Sequence, residues 1–182
     1  MYYETISTDL GGVAIVWQNA EFGPRIRRIV LCGSTPVIAS VVRWFPEAER
    51  HSEHKITDLG RQICSSLQGE AVGFDLGMME MDICGDFQRK ILKAEYRIPR
   101  GWVSTYGLLA EHAGSPGGGR AAGRALATNP FPIVIPCHRA VRSDGALGGY
   151  QGGSRMKRTL LEREGVEFDA KGRVKMSRVF YR

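Results

Sequence analysis

The sequence predicts an α/β N-terminal domain over residues 1–84, followed by a mainly α C-terminal domain over residues 85–182 that carries a helix-turn-helix. Three observations support this. Two β-rich runs near the N-terminus give way to helical periodicity, two short helical segments near the middle are joined by a tight glycine turn, and charge divides sharply between the halves. Residues 1–88 hold 7 Lys+Arg against 12 Asp+Glu, net −5, whereas residues 89–182 hold 18 against 7, net +11. A half so basic points to a polyanionic partner, with a merely solvated basic face as the plain alternative.

Residues 13–17 and 25–32 are β-rich and flank the polar turn NAEFGP, which predicts an antiparallel pair. Thr35-Pro36 offers an N-cap and a proline for the first helical position ahead of VIASVVRWF. The polar connection PEAERHSEHK follows, and its His51 and His54 read as solvated rather than as ligands. Ile56, Leu59, Ile63 and Leu67 recur at helical spacing and should line one face. Residues 72–81 read as a strand or an extended connector, with their methionines as core filler. The domain boundary falls between Asp82 and Asp86.

Asp86 can cap a helix carrying Phe87, Ile91, Leu92 and Tyr96 that ends before Ile98-Pro99. Ser104 and Thr105 supply capping hydroxyls to the next helix, with Tyr106, Leu108, Leu109 and Ala113, and Gly114 is a natural stop. Ser115-Pro116 should then open a second helix, GGGRAAGRALAT, almost at once. Glycine costs about 1 kcal/mol against alanine inside a helix, so this run needs a reason. A Gly/Ala face can press close to a partner, and Arg120 and Arg124 add cations four residues apart. Packing on another helix would explain the glycines alone; the two arginines in so basic a half favour DNA.

The stretch NPFPIVIPCHRAV, residues 129–141, organises the rest. Its β-branched Ile133-Val134-Ile135, bounded by prolines, predicts a buried strand that stops at Pro136 and presents Cys137. Most intracellular free cysteines are small buried hydrophobes. Here an imidazole and a guanidinium follow at once, and such neighbours stabilise the reactive thiolate. Beyond it, residues 142–145 read as a turn and residues 148–153 as a glycine-flanked loop. SRMKRTLLEREG reads as a helix with Met156, Leu160 and Leu161 inward and Gly165 at its end. The tail should form a short hairpin turning at Lys171-Gly172.

Cys32, Cys64, Cys84 and Cys137 lie far apart without Cys/His ligand spacing, which predicts neither a zinc site nor a disulfide framework. The N-terminus MYYETISTDL lacks a basic region followed by an apolar core, and no apolar run is long enough to span a bilayer. A cytoplasmic protein is expected.

PCHR preceded by NPFPIVI resembles the active-site signature of the O6-alkylguanine-DNA alkyltransferases. VSTYGLLA, GRAAGRALATNP, GGYQGG and KRTLLEREG also stand in that family's order, so the resemblance covers residues 87–165. It implies a variable α/β domain in front of a winged-helix-like DNA-binding domain. It also implies direct-reversal repair, in which the alkyl group of O6-alkylguanine in double-stranded DNA moves irreversibly to the protein's own cysteine after base flipping. Carried over by position, Cys137 is the acceptor, His138 removes its proton through a water, and Glu164 orients and charges that histidine. Asn129 ties the recognition helix to the active-site segment, and Tyr106 assists the leaving guanine. Arg120 is the finger that replaces the extruded base, on a minor-groove helix with Gly118, Gly119, Ala121, Gly123 and Arg124. Tyr106, Ala140, Tyr150, Gln151 and Lys157 line the guanine pocket. No metal or organic cofactor is implied, and a monomer is expected. Gln151 stands where many relatives have a small hydroxyl residue, and Ala140 where valine is usual.

Overall fold

The computed structural model describes residues 1–33 and 35–182. By its contacts the chain divides into two compact units: Met1–Ile83 with Pro130–Val134, and Cys84–Asn129 with Ile135–Arg182.

In the first unit, β1 (Tyr2–Thr8), β2 (Gly11–Ala20) and β3 (Gly23–Leu31) form an antiparallel meander, and the short β4 (Glu49–Arg50) adds parallel to β1. The order β3-β2-β1-β4 puts β2 inside the sheet, so residues 13–17 are buried on both faces. Ala14, Val16 and Val30 pack with Val37 and Val41 of α1 (Val37–Trp44). On the other face lies α2 (His54–Leu67), where Gly60 lets the helix approach the sheet: a Cβ there would sit 2.7 Å from Ile6 Cδ1. Ile56, Leu59, Ile63 and Leu67 are all buried, as their spacing predicts.

Three local expectations change here. β1 is an additional strand; its sequence YYETIST lacks clean alternation because most of its residues are only half-buried. Pro36 precedes α1 as its cap rather than occupying its first position, and among the described residues no side chain caps that end. Residues 72–81 form neither a long strand nor a plain connector. Two 3-10 turns, Leu76–Met78 and Met81–Ile83, flank one bridge between Ile26 and Met79.

The second unit holds α3 (Asp86–Tyr96), α4 (Tyr106–His112), α5 (Gly119–Ala127) and α6 (Gly153–Arg163). The two-residue strands β5 (Ser104–Thr105) and β6 (Ala140–Val141) pair in parallel. Val103, Val141, Leu161, Val166, Val174 and Val179 form a core cluster. Thr105 Oγ1 accepts from the Leu108 N–H at 3.2 Å and so caps α4, while Gly114 (φ 79°) ends its turn. Gly85 rather than Asp86 is the cap of α3. α5 starts at Gly119, later than Ser115-Pro116 suggests, because the chain first passes through Gly117 at φ 77°. Gln88 Nε2 then donates to Ala125 O at 3.0 Å and Thr128 Oγ1 at 2.9 Å, closing the C-terminal end of α5. In the tail, Phe168 and Val174 bridge antiparallel and the Gly172 N–H donates to Asp169 O at 3.0 Å.

The strand expected at residues 133–135 is instead a turn, with Ile133 at φ 73°. Pro130 and Pro132 lack backbone donors, so this stretch could not sustain a ladder on its own. A β-branched residue seldom adopts a left-handed backbone, and Ile133 does so while buried.

Candidate active site

After that reversal, Pro136 leads into one 3-10 turn, Cys137–Arg139. Ile135 O receives two donors, the Cys137 N–H at 2.8 Å and Asn129 Nδ2 at 3.0 Å. The buried Asn129, just past α5, thereby fixes the carbonyl that anchors the cysteine turn. Burial pushes the Cys137 thiol up to about 11, with the Asn129 contact pulling the other way. The expectation that the following cations lower the thiol is therefore corrected. The Arg139 guanidinium is turned away, with Nη1 on Ile98 O at 2.6 Å and Nε on Glu164 Oε2 at 2.9 Å. A thiol held this high is a poor nucleophile at neutral pH until a base takes its proton.

His138 is the adjacent imidazole, in the same turn. Its Nε2 lies 2.8 Å from Glu164 Oε1, and Arg139 Nη2 reaches the same oxygen at 2.8 Å. Burial lowers the His138 pKa, so the imidazole is neutral near pH 7. Burial alone would raise Glu164, but the His138 and Arg139 contacts outweigh it and hold the carboxyl at about 2. A neutral imidazole facing a carboxylate donates from Nε2, which leaves Nδ1 as the basic atom. Nδ1 is buried and has no hydrogen-bond partner among the described residues. Arg139 was not singled out as a site residue in the sequence; the Arg-carboxylate pair is tertiary, and only the adjacency of His138 and Arg139 hinted at it.

Lys157 and Tyr106 face the same interior. The Lys157 ammonium, fully buried, donates to Ala140 O at 2.7 Å and to Gly149 O and Tyr106 OH, each at 3.4 Å. Burial lowers it to about 8 and raises the Tyr106 phenol to about 12. Gly148 carries no side chain because a Cβ would meet Tyr106 OH at 2.6 Å. Tyr150 OH and Gln151 Oε1 are buried and have no hydrogen-bond partners among the described residues. Buried polar groups are ordinarily satisfied, so unpaired donors and acceptors around one thiol suit a ligand rich in hydrogen-bonding edges.

A groove of about 590 Å³ opens beside α4 and α5, lined by Tyr106, Gly107, Gly119, Arg120, Gly123, Arg142 and others. Arg120 and Arg124 are exposed. The glycines divide: a Cβ on Gly118 would stand 2.8 Å from Ser115 O, so close packing within the unit accounts for it, whereas one on Gly119 would make ordinary contact with Gly107 backbone atoms at 3.4 Å. Gly123 meets only Tyr106 Cδ1, at 3.8 Å. Arg142 and Ser143 line this groove too; the sequence showed them only as part of a turn.

A small helical unit that holds a buried cysteine, with an oriented histidine next in sequence and an arginine-lined groove, has the parts of a thiol-dependent protein directed to nucleic acid. The family described as 6-O-methylguanine DNA methyltransferase, DNA binding domain, matches residues 86–166. The methylated-DNA--protein-cysteine methyltransferase of Mycobacterium leprae is 40% identical over 126 residues, covering 69% of this chain and 72% of its own. That of Methanothermobacter thermautotrophicus is 50% identical over 103 residues, and the match spans only 57% of each chain. Mycobacterium tuberculosis OGT, solved in complex with DNA, superposes with a TM-score of 0.73 at 28% identity over 90% of this chain and 92% of that one. The O6-methylguanine-DNA methyltransferase of Pyrococcus kodakaraensis gives 0.68 at 27% identity, covering 91% and 99%. The chain belongs to the methylated-DNA–protein-cysteine methyltransferase family.

Proposed function

We propose that this protein repairs O6-alkylguanine in double-stranded DNA by moving the alkyl group to Cys137. The observation that carries this reading is the Cys137 turn with His138 bonded to Glu164: an inert buried thiol next to a neutral, oriented base. The thiol proton passes through a water to His138 Nδ1, and Glu164 stabilises the imidazolium that forms. Cys137 Sγ then attacks the alkyl carbon, the carbon–O6 bond breaks, and its electron pair remains on the guanine. Tyr106, with Lys157 on its hydroxyl, donates toward the departing base. The thioether has no route to hydrolysis, so each molecule acts once.

The alkylated oxygen lies within the base stack, so the nucleotide must rotate out at a cost of a few kcal/mol. Arg120 fills the gap, and α4 and α5 act as a helix-turn-helix whose second helix enters the minor groove through Gly123, Ala121 and Arg124. Tyr150, Gln151, Ala140 and Lys157 receive the base. In this reading the C-terminal domain, residues 85–182 with a winged-helix-like helix-turn-helix, does the chemistry behind a variable α/β domain of residues 1–84, in a cytoplasmic monomer.

Peptide mass spectrometry after mixing with an oligonucleotide containing O6-methylguanine tests this. One methyl group on the Cys137 peptide, with stoichiometric loss of lesion, is the expected result. Tight lesion binding without mass gain would make the protein a recognition module.

A further inference from the structure

Glu95 takes no part in the chemistry above, yet it is the most anomalous side chain in the second unit. It lies on α3 at 0% exposure, and neither carboxyl oxygen has a hydrogen-bond partner among the described residues. A buried, unpaired carboxylate is among the costliest groups a protein can hold, and its usual escape is to keep a proton. The charged and titratable groups acting on it are Lys157 and Glu164 at α6, Arg139 and Cys137 on the cysteine turn, Tyr106 on α4 and Tyr181 in the tail, while α5, which also packs on α3, carries Arg120 and Arg124 on its exposed face. Burial raises Glu95 to about 8 despite the pull of Lys157 and Arg139. An ionised Glu95 would act against negative charge on both Cys137 and Tyr106.

We propose that Glu95 is a charge gate for the Cys137 thiol: carrying its proton it adds no charge to the cluster, and ionised it sets a negative charge against the forming thiolate and holds the thiol protonated. Glu95 touches neither sulfur nor substrate, so it acts as a positioning residue through the field of the cluster. The balance is one proton: below the gate's titration the proton sits on the carboxyl and the thiol proton is free to go to His138. Above it, loss of the carboxyl proton leaves the thiol proton harder to remove. The protein is thereby set for transfer at neutral pH, and alkaline conditions gain it less reactivity than an ordinary thiol would gain.

The inference rests on the thiol chemistry proposed above, and its test separates the two. The pH dependence of Cys137 alkylation is measured for the whole protein and for Glu95→Gln, once with iodoacetamide and once with an O6-methylguanine oligonucleotide. Infrared spectroscopy follows the protonated-carboxyl band. The expected result is a wild-type rate that flattens above about pH 8. The E95Q rate should keep rising, coinciding with wild type near pH 6.5 and exceeding it by roughly fivefold near pH 9, since one unit of coupling is tenfold. The carboxyl band should be absent from E95Q and should fade in wild type over the same range. Parallel profiles, or an E95Q slower at every pH with normal thermal melting, would overturn the gate. If the iodoacetamide profiles diverge as expected while the oligonucleotide yields no methylcysteine, the gate stands and the repair reading fails.

Discussion

Glu164 has a structural role and, in the proposed mechanism, a chemical one. Its carboxylate takes two hydrogen bonds from Arg139 and one from His138, and it is held at about 2 against an ordinary value of 4.5. A carboxyl whose folded pKa is depressed contributes stability that is complete above about pH 4.5 and is lost as pH falls toward 2. The depression corresponds to about 3 kcal/mol. Glu164→Gln should therefore destabilise the protein by about that much at pH 7, and the loss should shrink as both proteins are acidified to pH 3. Denaturant unfolding at pH 7, 5 and 3 reads the difference directly. The same variant should slow methyl transfer on the order of a hundredfold, as loss of a general-base partner does. An unchanged rate would remove Glu164 from the relay.

At the scale of elements, the loop before α6 is shaped by what it must not touch. Gly148 sits at φ 71° with Tyr106 OH where a Cβ would project, so Gly148→Ala meets both backbone strain and a 2.6 Å clash. Transfer should fall at least tenfold while DNA affinity holds, because α5 and its arginines are untouched; single-turnover kinetics alongside fluorescence anisotropy will show whether the two separate. Elements with a strong local signal were legible in the sequence: the β2–β3 pair, the α2 stripe and the Gly-terminated α4 follow from periodicity, turn chemistry and capping. The segment at residues 133–135 was not. Its β-branched run argues for a strand locally, and only the packed structure forces Ile133 into a left-handed turn. Cys137 and His138 were legible as neighbours, and the role of Glu164 came from resemblance to a family. Arg139 on Glu164 and the buried Glu95 are tertiary facts that spacing along the chain does not encode.

At the scale of the whole molecule, the division of charge should appear in how DNA binding responds to salt. Each phosphate neutralised by Lys or Arg releases a counterion, so log K falls against log salt with a slope of about −0.9 per contact on duplex DNA. The basic residues concentrate in residues 89–182, net +11, while residues 1–88 are net −5 and would repel phosphate. A slope of several units is expected for the whole chain, with affinity falling steeply between low and physiological salt. Arg124→Ala should reduce the slope by about one if that exposed side chain meets a phosphate, whereas Arg61→Ala, on α2 and paired with Asp58, should leave it unchanged. Arg120→Ala should behave differently from both. A side chain that fills the space of an extruded base holds the flipped state, so repair of duplex should drop far more than reaction with free O6-alkylguanine. Equal losses on the two substrates would make Arg120 one more phosphate contact, and a flat salt response of the intact protein would place DNA somewhere other than its basic half.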